Sequence, residues 1–304
     1  MSRRLKKIYV RLHRLVNRVT LPGFDNMPMA RVFSFFYDGI VNGAITTRSS
    51  SISFNLFVAI FPTIIFLFTL IPFIPIENFQ DTFLSLMEEI IPDSAWDSVQ
   101  TTFLDIVTRP HGSLLSIGFI LALIFSTNGI NSMIEAFNAS YHSMETRGII
   151  AQRGIALVLV IVLAIMLIIA IVFIAAGAGI MHYLRDEGFL QDKFIYFLID
   201  SFRWAILILL TYFGISLIYF WAPAKKRPFK FFSAGSSSAT FFIMLANIGF
   251  NYYANNLATY NALYGSIGTL LLILLWIYFN STILLIGFEL NVSILNAKLE
   301  NNQD

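Results

Sequence analysis

The sequence predicts an all-α membrane protein with six transmembrane helices, amphipathic helices at the membrane interface and both termini in the cytoplasm. Of the 304 residues, 57% are hydrophobic and only 12% are charged, and the mean hydropathy is +0.73. Uncharged apolar runs recur along the chain, each of about the 20 residues that an α-helix needs to cross a bilayer. The absence of cysteine excludes disulfides, thiolate metal sites and a cysteine nucleophile.

Three regions follow from this pattern. Residues 1–48 form a basic cytoplasmic and interfacial region. Within it, 1–20 is predicted to be a basic amphipathic helix on an anionic leaflet, and 28–48 a second interfacial helix. A solvated basic tail is the alternative for residues 1–20. Residues 49–295 form the membrane domain, and 296–304 a cytoplasmic tail.

Six crossings are predicted within the membrane domain. Pro62 lies in the middle of the first and should kink it, because proline removes a backbone hydrogen bond. Residues 77–109 are acidic and contain two amphipathic helices too short to span, which we expect on the outer side. The predicted crossings are about 50–71, 114–137, 155–181, 202–221, 232–253 and 264–292.

The distribution of charge predicts the orientation. Most of the 20 Lys and Arg residues fall before the first crossing or in connections on its side, among them a basic loop after the fourth crossing. Cytoplasmic segments of membrane proteins carry such an excess of positive charge. Both termini are therefore predicted to be cytoplasmic.

Polar residues within the crossings are the candidate functional residues. A polar group in hydrocarbon is costly, so it usually faces other helices, a cavity or a pathway. In the second crossing Asn128, Asn131 and Glu135 share one face. In the fifth, Asn247 and Asn251 continue a stripe of serine and threonine, and both stripes should point inward. The sixth crossing adds Asn280, Glu289 and Asn291.

Two interpretations stay open for the acidic residues. Orientation places Glu135 and Glu289 toward the cytoplasmic end of the bundle, at a depth similar to that of Arg48, Arg147 and Arg153. In the structural interpretation, ion pairs among these residues lock helix ends together. In the functional one, a carboxylate in a polar cavity open to the cytoplasm binds a cation, relays a proton or meets a lipid headgroup.

Short motifs mark the last crossing and two of the connections. Ser140-Tyr141 with Arg147 and Arg153 marks the second connection, and Trp221-Ala222-Pro223 the fourth. The last crossing contains Tyr264-Gly265-Ser266-Ile267-Gly268, Leu274-Leu275-Trp276-Ile277-Tyr278 and Gly287-Phe288-Glu289-Leu290-Asn291. Together these motifs resemble those of the YihY/BrkB family of bacterial inner-membrane proteins, once labelled ribonuclease BN.

The resemblance implies a six-helix inner-membrane protein involved in envelope lipid or glycolipid transport. We expect a transporter or flippase-like protein for a lipid or other amphiphile in envelope biogenesis, with membrane lipids as partners; a homo-oligomer stays open. A non-transporting scaffold that recruits envelope or cytoplasmic partners is the alternative. No enzyme, cofactor, metal site or nucleic-acid partner is predicted, because nucleotide-binding, zinc-protease and nucleophile-elbow motifs do not occur and the residues do not favour the ribonuclease label.

Overall fold

In a computed structural model, every regular element of the described residues is helical, which confirms the predicted all-α class. Contacts divide the chain into two compact units, formed by the described parts of Met1–Ser53 with Ile130–Asp304 and of Phe54–Gly129. The predicted helix 1–20, most of 77–109 and the basic loop after the fourth crossing lie outside the described residues. The structure describes residues 23–25, 27–73, 80, 84, 100–101, 104–140, 147–186, 193–224, 231–256 and 258–301.

Each predicted crossing corresponds to a helix, and the predicted interfacial segment 28–48 contains a helix of 14 residues, α1. Most of the helices extend beyond the predicted crossings, because an α-helix continues through polar residues that hydropathy does not assign to the membrane. A short 3-10 turn, Ile71–Phe73, follows α2. The helices are α1 Met29–Asn42, α2 Ile45–Leu70, α3 Gly112–Asn138, α4 Ile149–Asp186, α5 Lys193–Trp221, α6 Ala234–Asn256 and α7 Ala258–Asn301.

Five of the described segments are long and apolar enough to cross a membrane. Helix α6 is not among them, because the serine, threonine and asparagine residues on it lower its hydropathy. Its helical structure was predicted correctly, whereas a sixth crossing and the orientation of the termini stay predictions. The five segments are Ile45–Phe73, Gly112–Asn138, Ile149–Ala170, Ser201–Trp221 and Gly268–Asn301.

Large apolar side chains cover the outer faces of these helices. Ile150 on α4 is 90% exposed, and Leu167 and Ile248 are also exposed. A soluble protein rarely leaves so much apolar surface in water, whereas a lipid-facing helix requires it. Helix α1 shares this property, with an exposed stripe at every fourth residue formed by Met29, Phe33, Tyr37 and Val41.

In the larger unit, α7 packs against α1 and α6, and α5 packs against α4 and α6. The opposite face of α1 is buried against the end of α7, where Val32 meets Ile294 and Ala297 in a small apolar core. Polar contacts tie the same ends together: Lys298 Nζ lies 3.5 Å from Asp25, and Arg31 donates a hydrogen bond of 3.1 Å to Asn301.

The smaller unit pairs the later part of α2 with the earlier part of α3. A Cβ at Gly118 would lie 3.4 Å from the backbone of Phe66, and the rings of Phe66 and Phe119 are 5.4 Å apart. Gly129 lies similarly close to Leu56. Small residues on α3 therefore allow α2 to approach closely, as is common between membrane helices.

Candidate functional site

Glu289 lies in the C-terminal third of α7 and has no exposed surface. Ser140, which follows the end of α3 and is also fully buried, donates from its hydroxyl to the carboxylate, with distances of 3.0 and 2.9 Å to the two oxygens. A serine hydroxyl has one proton, so it cannot satisfy both oxygens fully. Among the described residues, Ser140 is thus the one hydrogen-bond donor to this buried carboxylate.

Gly39 on α1 is the position that admits this carboxylate. A Cβ added at Gly39 would lie 2.7 Å from Cγ and 2.9 Å from Cδ of Glu289. Contacts that short are essentially never seen, so any larger residue would displace either the carboxylate or α1. Because glycine has no side chain, the backbone of α1 itself packs against the Glu289 side chain at this position.

Arg48, in the first turn of α2, is the cation beside this carboxylate. Its side chain is only 9% exposed, and the charge of Glu289 acts on it. Nη1 donates a hydrogen bond of 2.7 Å to the Gly43 carbonyl, but Nε and Nη2 are buried and have no hydrogen-bond partner among the described residues. Arg48 and Glu289 therefore attract each other without a hydrogen bond. We call Gly39, Arg48, Ser140 and Glu289 the Glu289 cluster.

The residues that precede Glu289 fix α7 against its neighbours. A Cβ at Gly287 would lie 2.5 Å from the Tyr219 hydroxyl and 2.8 Å from the Gly235 carbonyl, so α5, α6 and α7 meet at this glycine. Tyr219 donates a hydrogen bond of 2.7 Å to the Leu284 carbonyl. Phe288 stacks on Phe137 of α3, with ring centroids 4.4 Å apart.

Asn291 caps the start of α6. Its Oδ1 accepts a hydrogen bond of 2.8 Å from the Gly235 amide, and its Nδ2 donates one of 3.0 Å to Ser233 Oγ. Ser233 Oγ in turn accepts from the Ser236 amide at 3.0 Å, as a helix N-cap does. Amide groups in the first turn of a helix have no partner within the helix, so Asn291 satisfies one of them across the helix pair.

The polar residues predicted to form one stripe on the second crossing, which is α3, do not form a single group in the structure. Asn131 donates a hydrogen bond of 2.7 Å to Glu135 and accepts one of 2.9 Å from Gln152 on α4. Glu135 is exposed, whereas Glu289 is fully buried. The two acids thus belong to different groups of residues. Asn128 is half-buried on the same helix as Asn131 but belongs to the smaller unit.

The remaining predicted asparagines lie apart from the Glu289 cluster. Asn247 on α6 accepts a hydrogen bond of 2.8 Å from the indole of Trp276 on α7. Asn280 donates one of 2.8 Å to the carbonyl of Trp276, within its own helix. Asn251 is exposed near the end of α6.

Arg147 and Arg153 also take separate places. Arg147 donates hydrogen bonds to the carbonyls of Trp221, at 3.1 Å, Ala222, at 3.3 Å, and Pro223, and so caps the C-terminal end of α5, where a cation is favoured. Burial lowers the pKa of the Arg147 guanidinium, but the ordinary value for arginine is so high that the group stays charged at neutral pH. Arg153 is exposed.

An apolar cleft of about 250 Å³ lies between α1, α6 and α7. It comes within one helical turn of the Glu289 cluster along two helices: Phe36 precedes Gly39 by three residues, and Leu290 directly follows Glu289. The cleft and the buried cluster therefore lie near each other along α1 and α7. Its lining includes Met29, Val32, Phe33, Phe36, Phe242, Ile286 and Leu290.

Sequence reasoning did not select four residues that build these groups. Ser140 entered only as part of a motif, and Gly39, Gln152 and Tyr219 were not considered. A glycine among the large apolar residues of α1 was the available signal for Gly39. Nothing in the sequence pairs Ser140 with Glu289, which is 149 positions away. Among the described residues, no group of three or more His, Cys, Asp or Glu could hold a metal ion.

The helices and their apolar outer faces define a multi-pass helical membrane protein. The chain belongs to the Virulence factor BrkB family, whose model matches residues 36–304, and this confirms the resemblance found in the sequence. The ribonuclease-like protein YfkH of Bacillus subtilis is 27% identical over 81% of this chain and 88% of its own length. A UPF0761 membrane protein of Aggregatibacter aphrophilus is 24% identical over 88% and 93%, and one of Mannheimia succiniciproducens 24% over 90% and 92%. No solved structure matches the chain.

Proposed function

We propose that this protein moves a lipid or another amphiphile in the bacterial inner membrane, as a transporter or flippase-like protein of envelope biogenesis. The observation that carries the proposal is the Glu289 cluster, in which a carboxylate and a guanidinium are buried together within candidate membrane spans. Ionisable residues in such a place are expensive, and they commonly mark a substrate or ion pathway.

The apolar cleft supports an amphiphile as the cargo. An amphiphile needs an apolar surface for its chain and a polar group for its head within one molecule's length of each other. Phe36 and Leu290 provide the apolar surface. Arg48 and Glu289 provide the polar group. An apolar cleft would not contribute to the binding of a small soluble ion. The exposed apolar stripe on α1 would further allow a lipid to approach the cleft from the bilayer.

A lipid-transfer assay tests the proposal. The full-length protein is reconstituted into liposomes that carry a fluorescent phospholipid, and chemical quenching of the outer leaflet reports movement between leaflets. We expect Glu289→Gln to slow the movement roughly tenfold or more, since it removes the buried charge but keeps the shape. Glu300→Gln makes the same change on the same helix, at an exposed residue near Arg31, and should leave the rate unchanged.

Each result has a defined meaning. A cooperative thermal unfolding transition above the temperature of the assay shows that Glu289→Gln is folded. If the wild-type protein moves no lipid, or if folded Glu289→Gln moves it at the wild-type rate, the proposal is wrong. The scaffold alternative would then take its place.

A further inference from the structure

We propose that the guanidinium edge of Arg48 formed by Nε and Nη2 binds a phosphate group, and that this phosphate is the headgroup phosphate of a membrane lipid. This inference rests on the proposed function, because it names the chemistry of the cargo. It starts from Nε and Nη2 of Arg48, which are buried and find no hydrogen-bond partner in the part of the chain that the structure describes. Unsatisfied buried donors are rare in folded proteins, and on a charged group they are especially costly.

No group of the described residues accepts a hydrogen bond from this edge of Arg48. Nη1 is already engaged by the Gly43 carbonyl, which orients the guanidinium. Glu289 takes its hydrogen bonds from Ser140 and does not occupy the Nε and Nη2 edge. The carboxylate attracts the guanidinium from beyond hydrogen-bond distance. It thus helps to keep a cation within the membrane, while Nε and Nη2 have no acceptor among the described residues.

The geometry of that edge favours phosphate. Nε and Nη2 present two parallel N–H groups, which match two oxygens of a phosphate or carboxylate. The hydroxyl of Ser49, the next residue in the chain, is also fully buried and has no hydrogen-bond partner among the described residues. In a membrane, phosphate oxygens are supplied by phospholipid headgroups. The apolar cleft beside Leu290 gives the acyl chain of the same molecule a place.

Binding to the purified full-length protein tests the inference. The probes are dioleoylphosphatidylglycerol, dioleoylglycerol, which has the same chains but no phosphate, and inorganic phosphate. Affinity is read from the shift in unfolding temperature as each probe is added. We expect the wild type to bind the phosphatidylglycerol, and Arg48→Lys to bind it about tenfold or more weakly, because lysine keeps the charge but loses the two-pronged edge. Arg153→Lys, at an exposed arginine, is the matched control and should bind like the wild type.

The outcomes separate the sources of the phosphate. Binding of phosphatidylglycerol that depends on Arg48 supports the inference, whether or not inorganic phosphate competes for the site. Arg48-dependent binding of inorganic phosphate alone makes the ligand a soluble anion and overturns the lipid assignment. Equal binding of dioleoylglycerol, or an unchanged affinity in Arg48→Lys, overturns the site.

A second measurement needs no variant, in case Arg48→Lys does not fold. A phosphatidylglycerol with a photoreactive group near its phosphate is crosslinked to the wild-type protein, and the modified peptides are found by mass spectrometry. Modification within residues 36–53 or 284–296 is expected, and modification only elsewhere overturns the inference. The transfer assay is read separately: lipid movement without Arg48-dependent binding leaves the proposed function standing, and binding without movement removes that function but keeps the site.

Discussion

The burial of the Glu289 carboxylate is costly in free energy. Its two oxygens share one hydroxyl, and the nearby guanidinium gives attraction but no hydrogen bond. A buried ion pair seldom adds stability over an apolar pair of the same size, whereas removal of one partner costs about 3–5 kcal/mol. The cluster is therefore a feature that packing alone does not favour, and a binding role is one reason to retain it.

The contact between Gly39 and Glu289 gives a prediction for single residues. Gly39→Ala should lower the free energy of unfolding by roughly 1–3 kcal/mol, because its Cβ would overlap the buried carboxylate. Gly154→Ala is the matched control: it lies in α4 with no heavy atom within 4 Å of a new Cβ, and it should raise stability by about 0.5–1 kcal/mol through helix propensity. Equilibrium unfolding in mixed detergent micelles measures both. Equal stability of Gly39→Ala and the wild type would contradict the close contact.

In the larger unit, a short stretch of α7 contacts α1, α3, α5 and α6. Gly287 meets α5 and α6, Phe288 stacks on α3, Glu289 reaches α1, and Asn291 caps α6. Successive side chains of a helix point about 100° apart, so a run of five residues can contact neighbours on every side. This explains why the motif from Gly287 to Asn291 mixes a glycine, an aromatic, an acid and an amide.

The cap on α6 gives a prediction at this scale. Asn291→Ala should destabilise the protein by about 1 kcal/mol, because the Gly235 amide loses its acceptor. Asn280→Ala should cost less, since that amide bonds only to its own helix. A double-mutant cycle of Asn291→Ala with Ser233→Ala should give a coupling energy of at least about 0.5 kcal/mol, measured by equilibrium unfolding. Strictly additive effects would show that the two side chains act independently.

The elements and the site differ in how far the sequence predicts them. Hydropathy and length predicted helices at all six crossings, because both depend on local composition. Which residues a polar side chain contacts depends on how its helix is rotated about the helix axis. The predicted depth of a residue in the membrane does not determine that rotation. Glu135 and Glu289 were placed at one end of the bundle, yet one is exposed and the other buried. Likewise, Asn291 was a candidate for a pathway, but its cap on Gly235 joins residues 56 positions apart.

At the scale of the whole molecule, the ends of the described chain bear on the number of crossings. Asp25 and Arg31 contact Lys298 and Asn301, so both ends of the larger unit lie together. Helix α1, at 14 residues, is about 21 Å long and too short to span. Termini on one side of a membrane require an even number of crossings. Five apolar spans occur among the described residues, so an even number needs one more, and we predict that α6, whose 23 residues reach about 35 Å, is that crossing.

Labelling of single cysteines tests this topology on a chain that has no cysteine of its own. Ser2→Cys, Lys226→Cys and Gln303→Cys should react with a membrane-impermeant maleimide only after the cells are permeabilised, whereas Asn256→Cys should react in spheroplasts. Lys226 precedes α6 in the sequence and Asn256 is its last residue, so opposite reactivity at the two positions would come from the crossing of α6. The cysteine-free parent is the control for background. Identical labelling at these two positions would leave α6 on one side of the membrane, and opposite labelling of the two termini would exclude an even number of crossings.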